Sequence, residues 1–282
     1  MRWRRADRPG PRPKRIQLNG VRLDGRRSSV LELDTLSLQV GECLLVAGDP
    51  GQGHTALALV ATGRMLPTSG SVELLDGDGS VSTSSTLLRR VTALVDLPGV
   101  SEPDEVVPLH TVVAEELAYA HRPARAGRMN PWLESQGLLD RRKERFEDLY
   151  GGDRTELLTR LAAQRLDVRF LVLTLPDRHG GDPRRWWGLA QEFAGQGYGV
   201  LAQCLRPTAR DLGATLPTAR GPEALRRRPV EALRVVVDDY TGEDQQADAS
   251  DPPREDEDAP TTRFERLTDD GSSRSPHEEA DP

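Results

Sequence analysis

The chain has 282 residues, of which 36% are apolar, so it has room for one or two domains and a substantial core. Its net charge of −7 is unevenly distributed: residues 1–15 hold seven bases and one acid, and residues 239–282 hold fifteen acids and four bases. The residues between these two ends are nearly neutral, and they give no indication of a nucleic-acid-binding surface. No run of eighteen apolar residues occurs, and the stretch after the basic start is too short and too polar for a signal peptide, so we expect a cytoplasmic protein that does not span a membrane.

The first part of the chain predicts strands around a glycine-rich loop. Residues 15–38 alternate apolar and polar positions, which indicates two antiparallel strands joined by a turn at Asp24 and Gly25. Residues 42–49 form a short apolar strand that leads through GDPGQGHT into a predicted helix over residues 54–65. Further strands are predicted at residues 71–77 and 91–95. Cys43 and Cys204 lie in apolar strand-like runs, where we expect reduced, buried thiols, and no Cys/His cluster has metal-ligand spacing.

The middle of the chain changes character before the strand and helix alternation returns. Helices are predicted at residues 110–122 and 149–166, within a mainly helical segment over about 97–165. The pattern then predicts a buried strand, an amphipathic helix and a second strand, at residues 169–177, 182–196 and 197–204. Such alternation is typical of a parallel sheet wrapped by helices.

The ends of the chain have the least regular pattern. We interpret residues 1–14 as a flexible basic extension, residues 15–238 as the folded domain with a possible strand at 232–240, and residues 239–282 as an acidic disordered tail. The tail is either a docking segment or a solvated, solubilising one, and the basic start is either free or in contact with anionic lipid.

Four separated segments together resemble one family, the ATP-binding cassette of ABC transporters. GDPGQGHT resembles its Walker A loop, HTVVAEEL its T-V-x-x-E-x-L segment, LYGGD its L-S-G-G-Q signature, and residues 171–177 its Walker B strand. The resemblance spans residues 15–204 and implies an α/β fold of the P-loop NTPase type: a mainly parallel sheet wrapped by helices, with an N-terminal antiparallel β part and a helical subdomain. It also implies that a nucleotide-binding site lies at Gly48, Asp49, Pro50, Gly51, Gln52, Gly53, His54 and Thr55.

The sequence departs from the family at the residues that carry its chemistry. His54 replaces the Walker A lysine, and a histidine with an ordinary pKa is only about one-quarter protonated at pH 7. Thr174 and Leu175 stand where the family has the Mg²⁺-assisting aspartate and the glutamate that polarises water. Tyr150 and Asp153 replace the serine and glutamine of the signature. Asp96 aligns with the Q-loop glutamine, and the switch histidine aligns near Leu205.

These departures predict a degenerate cassette subunit that binds ATP weakly or not at all and hydrolyses it negligibly. They leave neither catalytic nor metal-ligating residues, so that Mg²⁺ binding is doubtful. The resemblance implies a membrane-spanning permease and a second nucleotide-binding subunit as partners, and a peripheral position on the inner face of the cell membrane. The alternatives are an ATP-hydrolysing subunit with non-standard residues, for which Asp177 and Asp182 are the nearest acids, and a non-transport scaffold.

Three features have a structural and a functional interpretation each. His54 either binds phosphate or begins a helix, and Tyr150 with Gly151 and Gly152 either meets a partner's nucleotide or caps a helix. Trp186 and Trp187 either contact a partner or pack into the protein, and because they lie on an amphipathic helix at least one ring is expected in the core.

Overall fold

Two β-sheets and the helices packed on them make up the described part of the chain. The computed structural model describes residues 13–26, 29–216, 231–236 and 263–266. The strands are β1 (Pro13–Asp24), β2 (Ser29–Gln39), β3 (Cys43–Gly48), β4 (Ser69–Asp76), β5 (Val81–Ser82), β6 (Thr92–Val95), β7 (Phe170–Leu173), β8 (Gly199–Leu205), β9 (Glu231–Val236) and β10 (Arg263–Arg266). The helices are α1 (His54–Ala61), α2 (Ser85–Val91), α3 (Leu109–Tyr119), α4 (Ala126–Ser135), α5 (Gly151–Ala162), α6 (Pro183–Gly195) and α7 (Arg206–Asp211), and single 3₁₀ turns lie at Phe146–Asp148 and Pro176–His179.

The N-terminal sheet is antiparallel, in the order β2-β1-β4-β5. Its register places Ile16 opposite Leu38 and Leu18 opposite Leu36, and all four side chains are buried. The alternating pattern therefore puts one apolar face on the core, as a half-buried strand requires.

The second sheet contains four parallel strands in the order β3-β8-β7-β6, with β9 and β10 added antiparallel beside β3. Alternate residues of β3 enter two separate cores. Leu45 and Ala47 pack on the side of α3, α5 and α6, and Leu44 and Val46 pack on the side of α1 and the antiparallel sheet. A sheet covered on both faces explains why these strands are continuously apolar. The predicted α/β fold is confirmed.

Several element boundaries differ from the sequence prediction. Helix α1 ends at Ala61 rather than at residue 65, because Gly63 and Pro67 follow it. Helix α2 arises in a polar stretch where no helix was predicted, and its N-cap Ser84 accepts a hydrogen bond from the Leu87 N–H. Helices α3, α4 and α5 fall within the predicted helical segment 97–165, whose boundaries stay a prediction.

The core contains the side chains expected from the apolar runs. Cys43 and Cys204 are free and buried, and burial raises the pKa of both thiols, so they pack as small apolar residues. Both Trp186 and Trp187 are buried and meet edge to face. Among the described residues, no helix is long and apolar enough to cross a membrane.

The C-terminal strands correct one prediction. Strand β9 falls where a possible strand was predicted and pairs with β3. Strand β10 pairs with β9 and lies inside the segment predicted as a disordered tail, so that prediction is wrong for Arg263–Arg266. A physical reason is that β9 alone would leave an unpaired edge, which β10 covers. The predicted extension up to residue 12 and the rest of the predicted tail lie outside the described residues.

Candidate functional site

The carboxyl ends of the four parallel strands bring the sequence-predicted positions together at one edge of the sheet. The glycine loop, residues 48–55, follows β3 and leads into α1. Asp96 follows β6, Thr174 follows β7, and Leu205 ends β8. In open α/β sheets this edge is where ligands bind. The glycine loop, Asp96, Thr174 and Leu205 therefore lie at the same edge of the sheet, while their role in a site stays a prediction.

The glycine loop has the backbone shape of an anion cradle. Gly51 and Gly53 have φ of +84° and +93°, and Gly53 caps α1 without any side-chain hydrogen bond to the cap. Such helix N-termini offer N–H groups to anions. A Cβ at Gly53 would lie 2.5 Å from the Val30 carbonyl oxygen, so packing against β2 also requires this glycine. Part of the loop is satisfied internally, because Gln52 Oε1 accepts a 2.7 Å hydrogen bond from the Asp49 N–H.

The His54 side chain is directed into the protein. It is only 4% exposed, and its Nε2 lies 3.2 Å from the Cys204 carbonyl oxygen. Burial lowers the pKa of His54, despite the opposing effects of that carbonyl and of Asp177 and Asp49. A neutral ring bonded to a carbonyl carries its proton on Nε2. At the position of the family's phosphate-binding cation, this chain thus has an uncharged group that is already engaged with β8.

The two residues directly after β7, Thr174 and Leu175, carry neither an acid nor a base. Thr174 is 2% exposed, and its Oγ1 is buried without a hydrogen-bond partner among the described residues. Leu175 has a left-handed backbone, with φ of 47°, and its side chain can neither ligate a cation nor accept a proton. Positions 174 and 175 thus offer one hydroxyl and no carboxylate.

Asp177 anchors the end of β8 with one of its oxygens. Its Oδ2 accepts hydrogen bonds from the Leu205 N–H at 2.8 Å and the Thr208 hydroxyl at 2.7 Å. Its Oδ1 is buried and has no partner within the described ranges. Asp177, which lies close in sequence to Thr174 and Leu175, therefore uses one carboxylate oxygen to hold the junction between β8 and α7.

Asp96 is the centre of a buried ion network that the sequence did not predict. It is 4% exposed with φ of 60°, and its two carboxylate oxygens each accept a 2.9 Å hydrogen bond from Arg154 of α5. Arg178 contributes a 3.1 Å contact to Oδ1 and a 2.6 Å hydrogen bond to the Asp96 carbonyl, and His179 Nε2 lies 2.8 Å from Oδ2. The network therefore joins the end of β6, α5 and the turn after β7.

Two further acids extend this network towards solvent. Glu105 accepts hydrogen bonds of 2.6 and 2.8 Å from Arg154 Nη1, and Glu102 accepts one of 2.8 Å from Arg178. Burial opposes the charge of Asp96, but the close contact of His179, the hydrogen bonds from Arg154 and the charges of Arg154 and Arg178 lower its pKa to about 2. All the carboxylates near Asp96 are thus matched by guanidinium groups of the same chain.

The signature glycines have an intramolecular packing role. A Cβ at Gly151 would lie 2.5 Å from the His179 carbonyl oxygen, and one at Gly152 would lie 3.0 Å from the Arg185 guanidinium. Tyr150 caps α5 with no side-chain hydrogen bond to the cap, and its ring is half-exposed with Arg185 5.9 Å away. The start of α5 is therefore covered at Gly151 by the turn after β7, which accounts for that glycine without a partner subunit, whereas Gly152 faces the Arg185 side chain of α6.

The residues present do not fit a magnesium nucleotide. Asp96, Glu102 and His179 have ligand atoms close enough to share a cation, but Arg154 and Arg178 already supply the positive charge there. At the glycine loop, Thr174 and Leu175 provide no carboxylate for Mg²⁺, which prefers oxygen ligands including carboxylates. The backbone cradle and Thr55 remain as phosphate donors, and the buried His54 ring is directed away from them towards the Cys204 carbonyl.

Sequence comparison finds relatives that match about half of the chain. The taurine import ATP-binding protein TauB of Sinorhizobium fredii is 34% identical over 158 residues, which cover 54% of the chain and 55% of that protein. The methionine import ATP-binding protein MetN of Corynebacterium glutamicum is 26% identical over 159 residues, which cover 53% and 43% respectively. The chain thus spans about half the length of the curated relatives it matches. No family model matches it.

Solved structures of similar fold cover a larger share of the chain. A nucleotide-free ATP-binding cassette from an ABC transporter has a TM-score of 0.53 at 16% identity, covering 70% of the chain and 84% of that structure. An ATP-binding subunit of an ABC transporter has a TM-score of 0.51 at 20% identity, covering 69% and 81%. At such identities the structural likeness shows the fold alone.

Proposed function

The chain is related in sequence to the ATP-binding subunits of ABC transporters and has the fold of their cassette, and we propose that it is a degenerate subunit of this kind. In this proposal it binds ATP weakly or not at all and hydrolyses it negligibly. It occupies the cytoplasmic face of a membrane-spanning permease, where it pairs with a second nucleotide-binding subunit. Its contribution to transport is structural.

The observation that carries this proposal is the orientation of His54. Its buried Nε2 is engaged with the Cys204 carbonyl, and burial lowers its pKa, so the ring offers no charge to a triphosphate. The loss of one charge-assisted hydrogen bond weakens binding by about 1.5 to 3 kcal/mol, or about ten- to a hundredfold.

The turn after β7 supports the absence of hydrolysis in the same proposal. Leu175 occupies the position of the residue that polarises the attacking water, and general-base catalysis contributes typically about 10²- to 10⁴-fold. The three carboxylates of the ion network around Asp96 already have guanidinium partners within the chain, so they are not free to hold a magnesium ion. These contacts hold the edge of the sheet together without a ligand.

One observation favours the alternative of an ATP-hydrolysing subunit. Asp177 Oδ1 is buried without a partner among the described residues, and its charge acts on His54. In that alternative Asp177 would supply the missing carboxylate, and Asp177→Ala would abolish turnover. The scaffold alternative differs instead in its partners, since it requires no permease.

The transporter role predicts a defined pair of partners. When the tagged full chain is purified from its own cells in mild detergent, we expect it to retain a multi-span permease and a second cassette with intact Walker motifs. Mass spectrometry of the eluate identifies both, with an equally tagged unrelated soluble protein as the control. Recovery of soluble proteins alone would contradict the transporter role and favour the scaffold.

A further inference from the structure

Three arginines gather at the edge of the parallel sheet opposite to the glycine loop. Arg64 donates 3.1 and 3.3 Å hydrogen bonds to the Thr92 hydroxyl and the Thr62 carbonyl. Arg89 donates a 2.9 Å hydrogen bond to the Gly63 carbonyl, and Arg165 donates a 3.4 Å one to the carbonyl of Arg89. Because Thr92 begins β6, this arginine cluster (Arg64, Arg89 and Arg165) lies at the amino-terminal edge.

The positive charge of the arginine cluster is poorly balanced. Within the described ranges, no carboxylate forms an ion pair with any of the three guanidinium groups; Glu116 and Asp167 act on Arg165 only at longer range. Burial, together with the like charges of Arg165 and Arg89, lowers the pKa of Arg64 to about 10. A group of three guanidinium groups whose hydrogen-bond acceptors are uncharged carbonyls and a hydroxyl is typical of an anion-binding site.

An acidic segment of the same chain leaves and re-enters the sheet at this edge. Strand β9 runs antiparallel to β3, with Leu44 opposite Arg234, so β9 ends at the amino-terminal edge. Strand β10 starts there too, with Arg263 opposite Val236. The connection between them, residues 237–262, contains ten acids and one base.

The length of this connection is sufficient to reach the arginine cluster. Four strand spacings separate β9 from β6, or about 19 Å at roughly 4.8 Å each. A segment of 26 residues that goes out and back extends up to about 43 Å, at roughly 3.3 Å per residue. The distance from β9 to β6 is therefore less than half of the length to which residues 237–262 can extend.

We propose that the acidic segment 237–262 binds the arginine cluster of its own chain. Its carboxylates form charge-assisted hydrogen bonds with Arg64, Arg89 and Arg165, which supply the negative charge that the described residues lack. Such pairs at a protein surface weaken as ionic strength rises. This contact connects the β9–β10 end of the sheet to its β6 end, away from the glycine loop.

Zero-length coupling of an amine to a carboxylate tests this contact. The chain contains only two lysines, Lys14 and Lys143, so Arg89→Lys adds a single reactive amine without changing the charge. After carbodiimide treatment of the full-length R89K protein, we expect peptides that join position 89 to residues 237–262 within one chain. Their yield falls several-fold in 1 M salt and when residues 255–258 are neutralised as E255Q, D256N, E257Q and D258N.

Arg128→Lys is the matched control, because Arg128 is exposed on α4 and does not belong to the arginine cluster. The R128K protein should give several-fold less coupling to residues 237–262. The proposal is overturned if position 89 couples only to Glu116 or Asp167, if it couples to nothing, or if R128K gives the same yield. It is also overturned if mixed isotope-labelled chains show that the coupling joins two molecules.

Discussion

Replacing Arg154 by methionine is expected to lower the free energy of unfolding by about 3 to 5 kcal/mol. Arg154 is 3% exposed and contacts Asp96, Glu105 and the Phe146 ring. Methionine keeps much of the apolar packing but leaves the Asp96 carboxylate buried with part of its counter-charge removed. Urea unfolding of both proteins at pH 7, followed by circular dichroism, measures the difference.

An exposed ion pair provides the control for this prediction. Arg145 and Glu147 are 3.1 Å apart, with 63% and 43% of their side chains exposed, so Arg145→Met should cost no more than about 1 kcal/mol. If the R154M protein were no less stable than the R145M protein, the network around Asp96 would not hold the fold. A double-mutant cycle of R154M with Asp96→Asn then measures how much of the effect the two residues share.

The network connects three segments that lie far apart in the sequence. Asp96, Arg154 and Arg178 come from the end of β6, the start of α5 and the turn after β7, which are the places that correspond to the Q-loop, the signature and Walker B. Their mutual ion pairs connect these segments through the chain's own charges. In the proposed degenerate subunit, no nucleotide is required for that connection.

Replacing His54 by lysine is expected to tighten MgATP binding by about ten- to a hundredfold. Lysine is longer than histidine and stays charged at pH 7, whereas the buried His54 ring is held by the Cys204 carbonyl and its pKa is lowered. Isothermal titration calorimetry of the full chain measures the two affinities. Turnover should stay at background in the H54K protein, because Leu175 still cannot act as a base.

His54→Gln is the matched control for the added charge. Its amide can donate to the Cys204 carbonyl as the imidazole does, but it carries no charge, so its affinity should equal that of the unchanged protein. Binding by the unchanged protein as tight as by H54K would show that the loop works without a cation. That result would remove the main support for weak binding.

The fold and the position of the glycine loop between β3 and α1 were predictable because they depend on local patterns. The apolar run of β3, the glycines of residues 48–55 and the start of α1 are contiguous, and their order determines a strand, a phosphate-type loop and a helix. Alternation in β1 and β2 fixed which residues face the core, since side chains of a strand alternate between its faces. These features require no knowledge of distant contacts.

The ion network could not be predicted in this way, because its partners are distant in sequence. Arg154 lies 58 residues from Asp96 and 49 from Glu105, and in the sequence it follows the signature glycines like an ordinary polar helix residue. The engagement of His54 with Cys204 spans 150 residues. Strand β10 was missed for a similar reason. The residues around it are acidic and polar, and its pairing with β9 is a contact between segments distant in sequence.

Release of inorganic phosphate from MgATP by the purified full chain tests the central claim most directly. We expect no turnover above that of a reaction without protein, and no difference between the unchanged chain and its Asp177→Ala variant. Steady turnover that Asp177→Ala abolishes would contradict the claim. It would identify Asp177, with its unpartnered buried Oδ1, as the carboxylate of a working ATPase.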